Sequence, residues 1–455
     1  MSNTCSGISG SNLKLKIAEE QNFGELTKTG YKTIPFSNVG LKFSQNSVES
    51  KVIMGGRQPT QSGKGNVEVS GSLEMPFDSQ AIGYMFKNLF GKVETVASGD
   101  KYDHTFSISD SCLGSLAFEK SFIGTNLNYL DRGVKAKSFS FEIGGEGEII
   151  GKFDLLGKSE DLNHISMSAV SDSVASDANV NSQTVSVNDG TKFETGDIVL
   201  FNIKKATTAE NVSKGNSVIA LGAGEGDNFS KGDFVEIGGH YYVIKAKSSD
   251  KIYLNKGLEA DLPANSEVFL QNVSYEVTAV SGNDLSIKPG LKNAVAAGTK
   301  IYGKSQSVEI MGSIFQNFEA TVYSENESAI ADIEKMTFSF DNNSEGKRTI
   351  DSKGSFGKIT EGKVKVEAEL TLIFSQENAN LLELAKIGNE MDLKIKGVAE
   401  NGDMFEINMP TGTLTPDSPE ISSPTSISVS LKYSPFKKGT EDAITLKLTN
   451  DIASY

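Results

Sequence analysis

Tryptophan is absent from this 455-residue chain, cysteine occurs twice, histidine three times and proline only ten times. Each scarcity excludes something. Cys5 and Cys112 lie too far apart to build a disulfide framework or a zinc ribbon. Cys5 falls in the N-terminal stretch, and Cys112, in SDSCLGSLAF beside a strand pattern, is expected to be a structural thiol. His104, His164 and His240 occur in three unrelated contexts, so they read as isolated surface or turn histidines rather than one site. No run approaches the ~18 apolar residues of a membrane-spanning helix. The opening MSNTCSGISGSNLKLKIAEE lacks the apolar core of a signal peptide. Basic residues are also short, 44 Lys+Arg against 59 Asp+Glu for a net charge of −15. Such a chain has no electrostatic reason to grip a phosphate backbone. With 37% apolar residues it is too rich for a disordered protein.

What is abundant is glycine, 45 residues, together with short alternating apolar patterns, which reads as an all-β protein. The texture changes near 160 and near 305. Net charge is −1 over residues 1–160, −4 over 161–305 and −10 over 306–455, so two-thirds of the negative excess sits in the last third. An acidic surface that aids solubility is the simplest reading.

A shift of 297 positions aligns Val39–Gly91 with Met336–Gly388 without a gap, with ten of 53 columns identical. Identity at that level decides little; the shared pattern decides more. Val67, Val69, Leu73, Met75 and Phe77 alternate with polar residues, as do Val364, Val366, Ala368, Leu370, Leu372 and Phe374. Period-two alternation predicts a strand with one buried face. Both copies continue into a helical stretch, DSQAIGYMFKNLFG and SQENANLLELAKIG. Asp78/Ser79 and Ser375 are the expected N-caps, Gly91 and Gly388 the expected C-caps, and Ile82, Met85, Phe86 and Leu89 the apolar face. Two homologous domains follow, 1–160 and 306–455. Between the paired strands lie some twenty residues in both copies, QNSVESKVIMGGRQPTQSGKG and NNSEGKRTIDSKGSFGKITEG. Loops this long usually serve a function or a partner.

Residues 165–305 have a different grain. A finer repeat relates KIYLNKGLEADLPANSEVF to DLSIKPGLKNAVAAGTKIY at an offset of 33, and ETGDIV to SKGDFV. Glycine turns punctuate short strands, which predicts one or two small β-barrel or sandwich modules between the duplicated halves. Chemistry is not visible. GGEGEIIG (144–151) precedes a strand pattern, not a helix, so it is expected to be a hairpin turn rather than a phosphate loop. No nucleophile elbow or calcium-loop spacing occurs. The expectation is a non-enzyme with no cofactor and no metal.

The stretches GRQPTQSGKGNVEVSGSLEMPFD, SLAFEKSFIG and KSFSFEIGGEGEIIGKFDLLGKS resemble the tail tube proteins of long-tailed bacteriophages. GSIFQNFEATVYSENESAIADIEKMTFSFDNNSEGKRTI, continuing EGKVKVEAELTLIF, resembles their second half. The likeness covers roughly residues 15–160 and 306–450 and departs at the 165–305 insertion. It implies two tandem tail-tube β-sandwich domains, each with one short helix, plus a small inserted β module facing outward. It further implies a trimeric, pseudo-hexameric ring that stacks into a tube around the DNA channel. The long loops would contact the adjacent ring, through Lys51, Arg57, Lys64, Arg348, Lys353 and Lys358. Glu68, Glu74, Glu367 and Glu369, on the polar face of the repeated strands, would be lumen carboxylates that keep DNA sliding, although Lys363 and Lys365 share that face. The implied partners are further copies of the chain, tail tip or baseplate and tail terminator proteins, and the tape-measure protein during assembly; DNA is in passage only. The implied location is the virion tail, assembled in the host cytoplasm. Two other classes fit a β-sandwich chain: an exported surface adhesin, and the tube subunit of a contractile injection device.

Overall fold

The computed structural model describes residues 9–52, 61–123, 125, 127–271, 273–305, 307–324, 328–417 and 427–455. In the first repeat, β1 (Lys42–Val48) leads into β2 (Gly63–Pro76) and helix α1 (Ala81–Phe90). A hairpin of β3 (Gly91–Ser98) and β4 (Lys101–Ile108) follows, and later the long β5 (Asn128–Ile143) and β6 (Ile150–Gly157). The second repeat answers with β7 (Ile333–Asp341), β8 (Lys365–Ile373), α2 (Gln376–Ile387), β9 (Glu390–Val398), β10 (Met404–Pro416), β11 (Ser428–Pro435) and β12 (Thr445–Asn450).

The strand register recurs at the same offset. Phe43 lies opposite Val69, and Phe340 opposite Val366, which is the same register displaced by the 297 positions read from the sequence. Both helices end on a left-handed glycine, Gly91 at φ 84° and Gly388 at φ 75°, a conformation that costs a side-chain-bearing residue about 1 kcal/mol or more. Ser375 caps α2 through Asn378 N–H at 3.4 Å. At α1 the cap role falls to Asp78, whose Oδ1 accepts from the Gln80 and Ala81 amides at 2.8 and 2.6 Å. GGEGEIIG is the turn between β5 and β6, which pair antiparallel.

Tertiary pairing then joins the repeats in a way the sequence did not suggest. β5 of the first repeat pairs with β7 of the second, Phe139 opposite Phe340 and Ser140 opposite Ser339. The result is one continuous sheet in the order β1-β2-β6-β5-β7-β8-β11-β10. A second layer, β3-β4-β12-β10-β9, also crosses the boundary, because the C-terminal β12 sits between β4 and β10. One hydrophobic core therefore serves both halves, holding α1 and α2 residues together with Phe77, Phe139, Phe338, Phe340 and Phe405.

The insertion has two cores of its own. Its outer module orders its strands Ala169–Ser173, Lys300–Ser305, Ile198–Phe201, Ser274–Ser281, Asp284–Lys288, Thr184–Ser186. Its inner module, residues 203–270, repeats that order strand for strand: Ile203–Thr207, Glu267–Leu270, Phe234–Ile237, His240–Ser248, Lys251–Leu254, Val218–Ala220. Equivalent tyrosines brace equivalent turns: the Lys292 amide donates to the Tyr275 hydroxyl at 3.0 Å and the Glu259 amide to the Tyr242 hydroxyl at 3.0 Å. The inner copy is spliced into the outer one at the hairpin that it itself turns with Gly238-Gly239. The 33-residue repeat is thus a module nested within its own duplicate.

Candidate assembly surfaces

The eight-stranded sheet has two unlike faces, because side chains alternate across a strand. The row Leu73, Phe153, Phe139, Phe340, Val366 is buried against the helices. The next row along, on the opposite face, reads Glu74, Lys152, Ser140, Ser339, Glu367, and is polar throughout. Two parallel rows read Ser72, Asp154, Ser138, Asp341, Lys365 and Glu142, Thr337, Glu369, Lys432, Thr415. Of the four carboxylates singled out in the sequence, Glu68 and Glu74 belong to β2 and Glu367 and Glu369 to β8, and the last three lie in the polar rows. They are not a bare acidic lining. Lys335 lies 2.8 Å from Glu142, and Glu367 sits between Lys365 at 2.8 Å and Lys432 at 2.7 Å. Partial burial opposes ionisation of Glu367, but the two lysines prevail and hold its carboxyl below the usual range. Opposite charges facing each other across strands are the favourable arrangement for a sheet surface, so the face is mixed in charge, with lysines set among a larger number of carboxylates, and rich in hydroxyls. The acidic excess of the last third lies mostly elsewhere.

The two ends of this sheet differ from its middle. At the internal seam Phe340 is 1% exposed and stacks on Phe90, also 1% exposed, with ring centroids 4.7 Å apart. Their counterparts in the other repeat are Phe43, on the free edge strand β1 and 42% exposed, and Ile387, at the end of α2 and 72% exposed. Phe77 is fully buried whereas its counterpart Phe374 is 41% exposed. Sequence reading missed these residues; the available signal was that large apolar side chains recur at 43/340, 77/374 and 90/387 without regard to which copy has a neighbour.

The second long loop is folded rather than slack. Glu345–Lys347 pairs with Lys358–Thr360, and the Arg348 guanidinium stacks on Phe356 at 4.5 Å. The loop lies over the first repeat. Arg348 donates to the Val67 carbonyl at 3.1 Å, the Val67 amide donates to the Gly354 carbonyl at 2.9 Å, and Lys135 holds Glu361 at 2.6 Å. Asn342 donates to the Leu89 carbonyl at 2.9 Å. Of the six loop cations, Arg348 is spent within the chain and Lys353 reaches the Gly215 carbonyl of the insertion at 3.4 Å. Lys51, Lys64 and Lys358 are exposed, and Arg57 lies outside the described residues. Ile350, at the tip, is wholly exposed.

The insertion is docked, not dangling. Arg132 on β5 grips Glu259 of the inner module at 2.7 and 3.1 Å and Asp161 at 2.6 Å, and Lys256 bridges the same two carboxylates at 2.8 and 2.9 Å. Burial would raise the Glu259 carboxyl, but His240, Arg132 and Lys256 overcome it and hold it far below the ordinary range; Asp161 is held down in the same way, chiefly by Arg132. Carboxylates depressed in the docked state contribute their stabilisation above their ordinary pKa and lose it as the pH falls through that range. Docking should therefore be intact at neutral pH and weaken below about pH 4. Arg132→Ala removes charged hydrogen bonds that Lys256 only partly replaces, an expected loss of about 1.5–3 kcal/mol. The check is limited proteolysis, in which the insertion should be released faster from the variant, and from the wild type in acid; identical digestion patterns would discard the anchor.

Two sequence expectations need correcting. Cys112 is an exposed free thiol, because the segment between β4 and the strand Leu116–Phe122 stays in loop and its chain turns outward. His104 is fully buried, with Nδ1 2.9 Å from Thr95 and Nε2 3.2 Å from Asn450, because β4 is covered by β12 and Tyr455. Among the described residues no three His, Cys, Asp or Glu side chains cluster as a metal site, and no helix is long and apolar enough to cross a membrane.

No curated protein matches the chain. A family model described as phage tail tube protein matches residues 10–234 and 313–435, well over half of the length and in two segments that contain the two repeats. By that match, and with a duplicated strand-loop-strand-helix unit on a β framework beside it, the chain belongs to the phage tail tube protein family.

Proposed function

We propose that three copies close a pseudo-sixfold ring through their free sheet edges, and that rings stack into the tube through which DNA leaves the virion. The observation that supports this most directly is the contrast between the seams. Everything that Phe340 and Phe90 bury inside one chain, Phe43 and Ile387 leave exposed at its two ends. A heterologous contact repeated by rotation buries both and removes both open edges.

The internal seam supplies the register. Asp341 lies opposite Ser138, and the repeat maps Asp341 to Ser44. Phe139 lies opposite Phe153 and Pro416 opposite Leu431, while Phe153 and Leu431 face Leu73 and Leu370, so Ser138 maps to Thr415. Ser44 of one copy should then face Thr415 of the next, and Phe43 should face Pro416. The polar face would become the channel wall, where lysines outnumbered by carboxylates and interspersed with hydroxyls present no cationic cluster for phosphates to settle on. Stacking would fall to the loop tips, with Ile350, Lys358 and Lys64 as the contact residues, and tail tip and terminator proteins would meet the two ends of the stack.

Electron microscopy of the purified protein, or of intact virions where assembly needs an initiator, should show rings or tubes with a central channel. Phe43→Pro sharpens the test. The Gly40 amide bonds inward to Ser72, so by alternation the Phe43 amide points outward from β1. Proline there should leave the β1–β2 ladder intact while blocking the edge; rings that form as before would discard edge pairing.

A further inference from the structure

The second loop covers part of the first repeat, and the corresponding part of the second repeat is open. Within the chain, residues 342–364 lie over Asn66 and Val67 at the start of β2, beyond the end of the sheet at Gly157 and Lys158. The repeat maps Val67 to Val364. Because Phe153 and Leu431 are equivalent, Gly157 and Lys158 map to Pro435 and Phe436. At that place there is a groove of about 860 Å³, lined by Val364, Pro435, Phe436, Asn342, Leu113 and Cys112. Phe436 is partly exposed in it. Nothing else in the described chain fills this groove, although its counterpart on the first repeat is covered.

We infer that this groove receives the β1–β2 connection, residues 49–62, of a second copy of the chain, which clamps its neighbour within the same ring. The inference rests on the ring reading above and specifies a contact that edge pairing alone does not. Three correspondences support the occupant. β1 is the free edge that the ring brings beside β10, just as β7 is brought beside β5, so the connection leaves from the same end of the edge strand, although β1 stays paired with β2 to Val48 where β7 ends at Asp341. Lys51 aligns with Arg348, the residue that bonds the Val67 carbonyl; its counterpart acceptor is the Val364 carbonyl on the groove rim. Gln45 aligns with Asn342, whose amide bonds the carbonyl of Leu89 near the end of α1, so Gln45 should reach the Lys386 carbonyl near the end of α2 in the neighbour. The connection thus has an amide at its base and a cation beyond, matched to two carbonyls at the equivalent spacing. In the isolated chain the Gln45 amide instead bonds the nearby Gly65 carbonyl at 2.9 Å.

Cys112 on the groove wall is a native reporter. In wild-type assemblies it should lose most of the maleimide reactivity that it has in the dissociated chain. A Cys5→Ser, Lys51→Cys variant, assembled and then oxidised, should give disulfide-linked products between Cys112 and the introduced thiol that stop at the ring size. A ladder running past the ring size would place the connection on the adjacent ring and overturn the clamp while leaving the tube intact. Assemblies with fully reactive Cys112 and no cross-link would overturn the clamp alone. A protein that forms no rings under any condition would remove the ring reading, and the clamp with it.

Discussion

Ile387→Asp should leave a folded monomer that no longer forms rings. Ile387 ends α2 with its side chain in solvent, so the substitution should change the stability of the isolated chain by no more than about 0.5 kcal/mol. In the proposed ring the same position would be the counterpart of Phe90, which packs on Phe340 within the chain. Losing the burial of an isoleucine forfeits about 1.5–3 kcal/mol, and lodging an unpaired carboxylate there adds its desolvation penalty. Since about 1.4 kcal/mol is tenfold in association, each seam should weaken on the order of a hundredfold. Every seam of a cyclic assembly carries the change, so the loss compounds. Circular dichroism should match the wild type while mass photometry or electron microscopy finds no rings. Wild-type assembly by the variant would mean that this end of α2 faces solvent in the particle. Ile387→Phe, which copies the internal seam, should assemble.

Phe77→Ala is expected to destabilise both repeats together. Phe77 is fully buried and touches five rings: Phe86, Phe139 and Phe141 of the first repeat at 5.6, 6.2 and 5.5 Å, and Phe315 and Phe405 of the second at 6.0 and 4.6 Å. Truncation of a buried phenylalanine typically costs about 3–5 kcal/mol, a large share of the ~5–15 kcal/mol that holds a domain folded. Hydrogen exchange is the suitable measurement, since the chain has no tryptophan to report by fluorescence. Amides of β5 and β7 should lose protection in parallel, whereas the insertion, with its own two cores, should not. Loss confined to the first repeat would show that the halves are independent domains after all.

Much of the fold was legible because its causes are local. Alternation over Val67–Phe77 and Val364–Phe374 specifies a half-buried strand wherever it sits. Asp78, Ser375, Gly91 and Gly388 mark helix ends through capping groups and left-handed backbone, which need no distant partner. The offsets of 297 and 33 are properties of the letters, and each proved to be a repeated strand order. The likeness to tail tube proteins belongs here too, since it rests on the order of such local motifs.

The candidate surfaces were less legible, and the reason is the same throughout. Glu367 reads as a free carboxylate until Lys432, from a strand some sixty residues away, arrives beside it. Arg132 carries no local mark, yet Asp161 and Glu259 converge on it from two other segments. Arg348 has the composition of a contact residue, but the loop turns it onto Phe356 and Val67 of its own chain. Cys112 and His104 exchanged their expected places because burial depends on what covers a strand, not on its own letters.

By itself, the sequence determined that the chain is β-rich, that its patterns recur at offsets of 297 and 33, and that it belongs to the phage tail tube protein family, without a recognisable catalytic motif. Only the tertiary structure decided that β5 pairs with β7, so that two repeats share one core and one polar wall. The physical reason is that a strand's two edges carry the same backbone donors and acceptors whatever its side chains. Which edge finds a partner within the chain, and which is left open at Phe43, is settled by packing around Phe77 and Phe340 from residues far apart in sequence.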